Sequence, residues 1–176
     1  MLKQSEIKTA LCSRGFEQTE SLLQFAYDNK FQGIEYTIEE ESYEGFDRIY
    51  DKLQRLRGSE LEIRYHLPFK RRELGLRDKE AAEKALAYLK YVLDAVACLG
   101  GTHIITHLGL GYSDRDHCLS YDHAVRNLKS LKEYADTKNI GVVLENLRFG
   151  LARAPEPHKY ILENTGYVNQ DRKSVV

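Results

Sequence analysis

Short apolar segments alternate with longer amphipathic segments through the first 150 residues, and this alternation limits the fold more than any other feature of the chain. The apolar segments are rich in valine, isoleucine and leucine and stop at glycine, proline or polar residues, as buried strands do. The segments between them repeat apolar residues at helical spacing. Strands and helices in this order form βα units around a parallel sheet, so the sequence predicts an α/β protein.

Five strands and five helices are predicted. The strands cover residues 8–12, 33–38, 61–67, 102–107 and 141–145, and the helices cover residues 19–29, 46–56, 78–99, 120–138 and 159–164. The longest helix has Asp78 in the position of an N-cap and Gly100 and Gly101 at its end. Residues 1–150 are therefore predicted to form five βα units, and residues 151–176 an irregular or short helical C-terminal tail.

Three of the predicted strands carry a potential metal ligand at their carboxyl ends, namely His66, His107 and Glu145. Their intervals are a little longer than the roughly 31 residues per unit of an average eight-fold barrel. Ligands of α/β proteins bind at this edge of the sheet. Taken alone, each histidine is better explained by a hydrogen bond to nearby backbone or water that caps its strand. Taken together, their shared position favours a site for a divalent ion such as Zn²⁺, Mn²⁺ or Mg²⁺.

Charged residues near the same strands are candidates for substrate binding. Glu35 is predicted to pair with Arg64 inside the sheet, with Glu62 as a competing partner, because inward charges are costly unless they are satisfied. A contact between Glu35 and a substrate is the functional alternative. Lys70 and Arg71 belong to a short basic run after the third strand, which could hold the phosphate of a sugar or of DNA.

Four strand segments together resemble the signatures of a known superfamily. They are Gly33-Ile34-Glu35, Tyr65-His66-Leu67-Pro68-Phe69, Ile105-Thr106-His107-Leu108-Gly109 and Val143-Leu144-Glu145-Asn146. In order and spacing they are similar to the xylose-isomerase-like TIM barrels, which include sugar phosphate isomerases and epimerases and the endonuclease IV family of abasic-site nucleases. The similarity covers roughly the first 150 residues.

The resemblance implies different roles in the two branches. In the sugar branch, the residue matching Glu145 is a metal ligand and one of two carboxylates that move a proton at the carbon beside a carbonyl, while the positions of His66 and His107 more often line the substrate pocket. In the endonuclease IV branch, the residues matching all three bind zinc. Glu145 is therefore the expected catalytic residue, and His66, His107 and Glu145 are the expected metal ligands.

The resemblance also implies an incomplete barrel. Only residues 146–176 follow the fifth strand, whereas three further units need about 90 residues. We therefore expect an incomplete (β/α)8 TIM barrel of about five βα units, with an open doubly wound parallel sheet as the alternative, and no counterparts of the family's later ligands. A truncated member fits this pattern, as does a homo-oligomer that covers the open barrel edges.

Charge and cysteine content narrow the function further. A net charge of −1 argues against nucleic acid as a partner and favours a small-molecule sugar or sugar phosphate. Three cysteines without metal-binding spacing and the absence of an apolar leader or membrane segment predict a cytoplasmic protein. The leading hypothesis is a divalent-metal-dependent isomerase or epimerase, or an inactive remnant of one. The alternatives are an endonuclease IV-like zinc-dependent nuclease and a non-catalytic α/β fragment.

Overall fold

The computed structural model describes residues 9–38, 46–68, 73–109, 119–145, 155–165 and 170–171. Within these residues, strands and helices alternate without exception, as the sequence predicts. The strands are β1 (Ala10–Cys12), β2 (Gly33–Thr37), β3 (Glu62–His66), β4 (His103–Thr106), β5 (Gly141–Glu145) and β6 (Gln170–Asp171). The helices are α1 (Thr19–Asp28), α2 (Phe46–Arg57), α3 (Lys79–Cys98), α4 (Tyr121–Asp136) and α5 (Pro155–Thr165).

All strands pair in parallel, and their order in the sheet is the order of the chain, from β1 to β6. A doubly wound sheet reverses its strand order at a switch point, and the described strands contain no such reversal. The doubly wound alternative is therefore wrong, and the sequential order is that of a barrel wall. The structure also adds β6, whose Asp171 is in register with Glu145, to the segment for which the sequence predicts only a tail.

One face of the sheet packs against the helices and forms the core. Ile34, Tyr65, Ile104 and Leu144 alternate along their strands with residues of the opposite face, and each is at most 2% exposed. Burial raises the pKa of the Tyr65 hydroxyl, an effect that the charge of Arg57 partly offsets. Successive helices cover this face, with α1 against α2, α3 against α4 and α4 against α5. The other face of the sheet is the inner face of the barrel wall.

The ends of α3 form as the sequence predicts. The Asp78 side chain accepts a hydrogen bond from the backbone N–H of Ala81 at 2.7 Å, which satisfies a donor that the first turn leaves open. Gly100 follows the helix with a φ of 75°, a conformation that glycine adopts without a steric penalty. These two residues fix where α3 begins and ends.

A polar contact joins α3 to α4. The Tyr134 hydroxyl lies 2.9 Å from each carboxylate oxygen of Asp94, and the Lys138 ammonium lies 2.9 Å from one of them. Partial burial raises the pKa of Asp94, but the hydrogen bonds from Lys138 and Tyr134 and the lysine charge outweigh it, so the pKa lies below its ordinary value. The same contact raises the pKa of both Tyr134 and Lys138.

The described helices include none with both the length and the apolar composition needed to cross a membrane. Cys12 and Cys98 are exposed free thiols, and Cys118 lies outside the described residues.

Candidate metal centre

Three neighbouring strands bring the predicted ligands together at the carboxyl edge of the sheet. His66 is the last residue of β3, His107 directly follows β4, and Glu145 is the last residue of β5. Alternation along each strand turns these side chains to the inner face, away from the helices. They are 0%, 6% and 4% exposed, respectively, so polar groups from three strands are buried against one another.

The three side chains meet through one atom each. The Nε2 atom of His66 lies 3.0 Å from Oε2 of Glu145, and the Nε2 atom of His107 lies 3.2 Å from the same oxygen. The two Nε2 atoms are 2.9 Å apart, and the ring centroids are 4.7 Å apart. These atoms form a nearly equilateral triangle of two nitrogens and one oxygen. Among the described residues, this is the group of histidine, cysteine and acidic side chains that could share one metal ion.

A backbone contact sets the orientation of the His66 ring. Its Nδ1 atom lies 2.9 Å from the carbonyl oxygen of Leu67, and since a carbonyl only accepts, Nδ1 must carry the proton. The Nε2 atom of a neutral ring then presents a lone pair to the carboxylate oxygen of Glu145. Two acceptors this close repel each other, and a metal ion or a proton between them removes that repulsion. Metal-binding histidines commonly donate their other ring N–H to a backbone carbonyl in this way.

The size of the triangle also fits a metal ion. Neighbouring ligands of an octahedral ion with bonds of about 2.1 Å lie about 3.0 Å apart, and those of tetrahedral zinc with bonds of about 2.0 Å lie about 3.3 Å apart. The three observed separations fall in and just below this range. Two imidazole nitrogens and one carboxylate oxygen suit a first-row transition metal better than Mg²⁺, which prefers oxygen ligands. His66, His107 and Glu145 would therefore hold the ion that the site implies.

The structure corrects the predicted pairing of inward charges. Arg64 forms its ion pair with Glu62 at 3.1 Å, rather than with Glu35 on the neighbouring strand. The Arg64 and Glu62 side chains are 51% and 43% exposed, so this part of the inner face is not the dry interior on which the prediction rests. Two residues apart on β3, they face the same side of the sheet and reach each other without crossing to β2.

The other predicted contacts lie away from the triangle or outside the described residues. Glu35 is half-buried on β2 and in register with Arg64. It lies on the same face of the strand as Thr37, two residues nearer the amino end. Lys70 and Arg71 lie outside the described residues. The structure therefore brings together the three predicted metal ligands, while the three predicted substrate contacts stay predictions.

Thr37 is a polar residue near the site that the sequence does not single out. It lies in register with His66, and its backbone N–H donates to the Ser13 hydroxyl at 2.8 Å. Its own Oγ1 atom is buried and has no hydrogen-bond partner within the described part of the chain. The alternation of β2 places Thr37 on the face of Glu35, but only the register to β3 shows that it stands beside His66.

Solved structures similar to this one include several sugar epimerases. L-ribulose 3-epimerase matches with a TM-score of 0.67 and 17% identity, over 93% of this chain and 58% of its own. D-psicose 3-epimerase from Clostridium cellulolyticum H10, solved with D-tagatose, matches with a TM-score of 0.72 and 14% identity, over 93% of this chain and 62% of its own. At these identities the likeness establishes the fold alone.

A third similar structure was solved after soaking with a zinc salt. The TTHB071 protein from Thermus thermophilus, soaked with ZnCl2, matches with a TM-score of 0.65 and 22% identity, over 89% of this chain and 61% of its own. This chain thus spans about 58–62% of the length of these three proteins.

The sequence itself matches one family. No curated protein matches the chain. The family model described as the xylose isomerase-like TIM barrel matches residues 23–165, which include the three candidate ligand positions and most of the sheet. The sequential parallel strands and the candidate ligands at the strand ends agree with this match. This chain therefore belongs to the xylose isomerase-like TIM barrel family.

Proposed function

We propose that this chain binds a divalent metal ion through His66, His107 and Glu145 and acts on a sugar or sugar phosphate as an isomerase or epimerase. The observation that carries the proposal is the buried triangle of two imidazole nitrogens and one carboxylate oxygen at the carboxyl edge of the barrel wall. The family and its sugar epimerase neighbours support a small sugar as the substrate class. The donor set favours Zn²⁺ or Mn²⁺ over Mg²⁺.

Glu145 is the group that we assign to proton transfer. A divalent ion held by His66, His107 and Glu145 would polarise a substrate carbonyl and so make the neighbouring C–H more acidic. One carboxylate oxygen of Glu145 faces both imidazoles, and the second oxygen is the one assigned to take the proton from that carbon. Return of the proton to the adjacent carbon, with the hydroxyl proton moving to the former carbonyl oxygen, would give isomerisation. Delivery of a proton to the opposite face of the same carbon by a second acid or by water, while Glu145 keeps the proton that it took, would give epimerisation.

Three further residues complete the proposed site. Glu35 would contact a hydroxyl group at the end of an extended substrate farthest from Glu145, and Lys70 and Arg71 would bind a phosphate group if the substrate carries one. We also propose that the chain forms a homo-oligomer, because β1 and β6 end the described sheet with one unpaired side each. Size-exclusion chromatography with light scattering tests the assembly, and a monomer at all concentrations would rule it out.

Proton exchange in heavy water tests the proposed chemistry more sensitively than an assay of product formation. The protein is incubated in D2O with Zn²⁺ or Mn²⁺ and L-ribulose, D-psicose or D-tagatose, and deuterium entering beside the carbonyl is followed by NMR. Exchange detects proton abstraction even when turnover to a product is slow. Wild-type protein should catalyse exchange, whereas Glu145→Gln and chelator-treated wild type should not.

Two other outcomes would point to the alternative functions. Metal-dependent nicking of abasic duplex DNA, without sugar exchange, would indicate a zinc-dependent nuclease. The net charge of −1 weighs against that outcome. No saturable metal binding by calorimetry and no activity of either kind would leave a non-catalytic α/β fragment.

A further inference from the structure

Asn127 is a buried amide on the face of α4 that packs against the rest of the protein. Its side chain belongs to a residue only 3% exposed, and its helix neighbours on that face are Ala124, Leu128 and Leu131, all fully buried. An amide in such a position destabilises the fold unless its hydrogen bonds are satisfied. Its Nδ2 atom donates to the carbonyl oxygen of Leu74 at 2.8 Å.

The peptide group that accepts this bond also makes a second one. The Leu74 carbonyl and the Gly75 N–H belong to the same planar unit, and the Gly75 N–H donates to the carbonyl oxygen of Leu108 at 2.9 Å. Leu108 directly follows His107. One rigid peptide group thus connects the Asn127 amide to the backbone that carries a candidate metal ligand, and hydrogen bonds in such a chain strengthen each other.

Helix α4 and its N-cap contact the turn formed by residues 74–76 at two further points. The backbone N–H of Ser120, the N-cap of α4, donates to the Gly75 carbonyl at 2.6 Å. The Nδ1 atom of His123 lies 2.6 Å from the Leu76 carbonyl, to which it must donate. Three consecutive carbonyls, from Leu74 to Leu76, therefore accept from α4, and Asn127 is the deepest of the three contacts. The turn is thus hydrogen-bonded to α4 on one side and to the segment after His107 on the other.

We infer that Asn127 is a positioning residue for His107. Through the Leu74–Gly75 peptide it fixes the backbone at Leu108, and so it sets where the His107 ring stands relative to His66 and Glu145. The separations of 2.9 and 3.2 Å from the His107 Nε2 atom leave little tolerance for a shift of this backbone. The inference rests on the proposed function only in treating His107 as a metal ligand.

Two variants of α4 test this role. Asn127→Leu removes the hydrogen-bond donor and keeps a side chain of similar size. If the leucine variant does not fold, Asn127→Ala is used in its place, because the smaller side chain leaves room for a water molecule. Ser130→Ala is the matched control, because it removes a side-chain hydrogen bond of the same helix, that of Lys90 to Ser130 at 2.9 Å, which does not lead to the site. The first readout is the imidazole signals of His107 in long-range ¹H–¹⁵N spectra of the metal-free protein. The second is the affinity for Zn²⁺ by calorimetry.

The two readouts separate this inference from the proposed function. We expect the Asn127 variant to shift the His107 ring signals and to weaken zinc binding by about tenfold or more, as loss of groups that orient ligands commonly does. Ser130→Ala should match wild type in both. Shifted ring signals without zinc binding by wild type would support the positioning role and refute the metal site. Ring signals identical to those of wild type would overturn the inference, since a purely structural amide would change only the melting temperature.

Discussion

Replacing Glu145 by glutamine distinguishes a metal site from an ordinary buried ion pair, because the two explanations predict different effects without metal. The substitution keeps the side-chain size and removes the charge. In a salt bridge with a protonated histidine, loss of one partner costs about 3–5 kcal/mol under all conditions. In a site built for a metal ion, the metal-free protein instead holds a buried carboxylate 3.0 Å from a nitrogen lone pair. Neutralising that carboxylate should leave the metal-free protein equally stable or more stable.

The expected size of the effect follows from binding linkage. Zinc at about 100 times its dissociation constant stabilises the folded state by about 2.7 kcal/mol. For a chain of this length, 1 kcal/mol changes the melting temperature by about 2–4 °C. Zinc should therefore raise the melting temperature of wild type by about 5–11 °C. Glu145→Gln loses one of the three proposed ligands and should show a small fraction of this rise. Wild type, which should be no more stable than the variant in chelator, should therefore be the more stable of the two in zinc.

Thermal unfolding in EDTA and in zinc measures both effects. Glu83→Gln is the matched control, since Glu83 is an exposed residue of α3 whose carboxylate lies 3.8 Å from Lys79. An exposed pair of this kind contributes less than about 1 kcal/mol, so the control should follow wild type in both buffers. If Glu145→Gln melts about 6–20 °C below wild type in EDTA as well as in zinc, the cluster is a structural ion pair and the metal-site reasoning is refuted.

Three further predictions concern stability. Thr37→Val replaces a buried hydroxyl that has no partner in the described chain, so urea unfolding should show an unchanged or slightly higher free energy; a loss of more than about 1 kcal/mol would mean that the hydroxyl is hydrogen-bonded. Because the pKa of Asp94 is lowered in the folded state, its carboxylate stabilises the fold above the unfolded-state pKa, and this stabilisation is lost as the pH falls through the lower folded-state value. The contact is partly exposed, so we expect it to contribute less than about 1 kcal/mol to the free energy of unfolding. The urea midpoint of Asp94→Asn should lack this dependence on acid pH. Asp78→Ala should destabilise α3 by about 1 kcal/mol in the same assay, whereas Gln18→Ala, at an N-cap without a side-chain hydrogen bond, should have no comparable effect.

The triangle of candidate metal ligands could be predicted because it depends on two simple periodicities. Alternation along a strand decides the face of each side chain, and the βα repeat places successive strand ends at one edge of the sheet. His66, His107 and Glu145 satisfy both conditions, and the structure brings their ligand atoms within 3.2 Å of one another. The caps of α3 were predictable for a similar reason, since Asp78 and Gly100 act within one helical turn.

Other features depend on contacts between segments that no local pattern encodes. The two residues of β6 are too few to show a periodicity, and only pairing with β5 defines them as a strand. The choice of Glu62 over Glu35 as the partner of Arg64 depends on how open the inner face is. In the sequence, Asn127 cannot be told from an ordinary polar residue of an amphipathic helix. Its role depends on the contact with Leu74 in the turn after β3, which is distant in sequence.

The register of the sheet decides which residue of β2 stands nearest the candidate metal centre. His66 is in register with Thr37 on one side and with Ile105 on the other, and Ile105 is in register with Val143. His66 therefore lies one step of the inner face below Glu145, a distance of about 6–7 Å along the strand that long side chains can bridge. Glu35 lies a further step below Thr37, so a substrate that reaches Glu145 would have to extend about 13 Å toward the amino ends of the strands to contact it. Thr37 has a buried hydroxyl and is in register with His66, whereas Glu35 is in register with Arg64. Thr37 is therefore better placed than Glu35 to contact a substrate bound at Glu145.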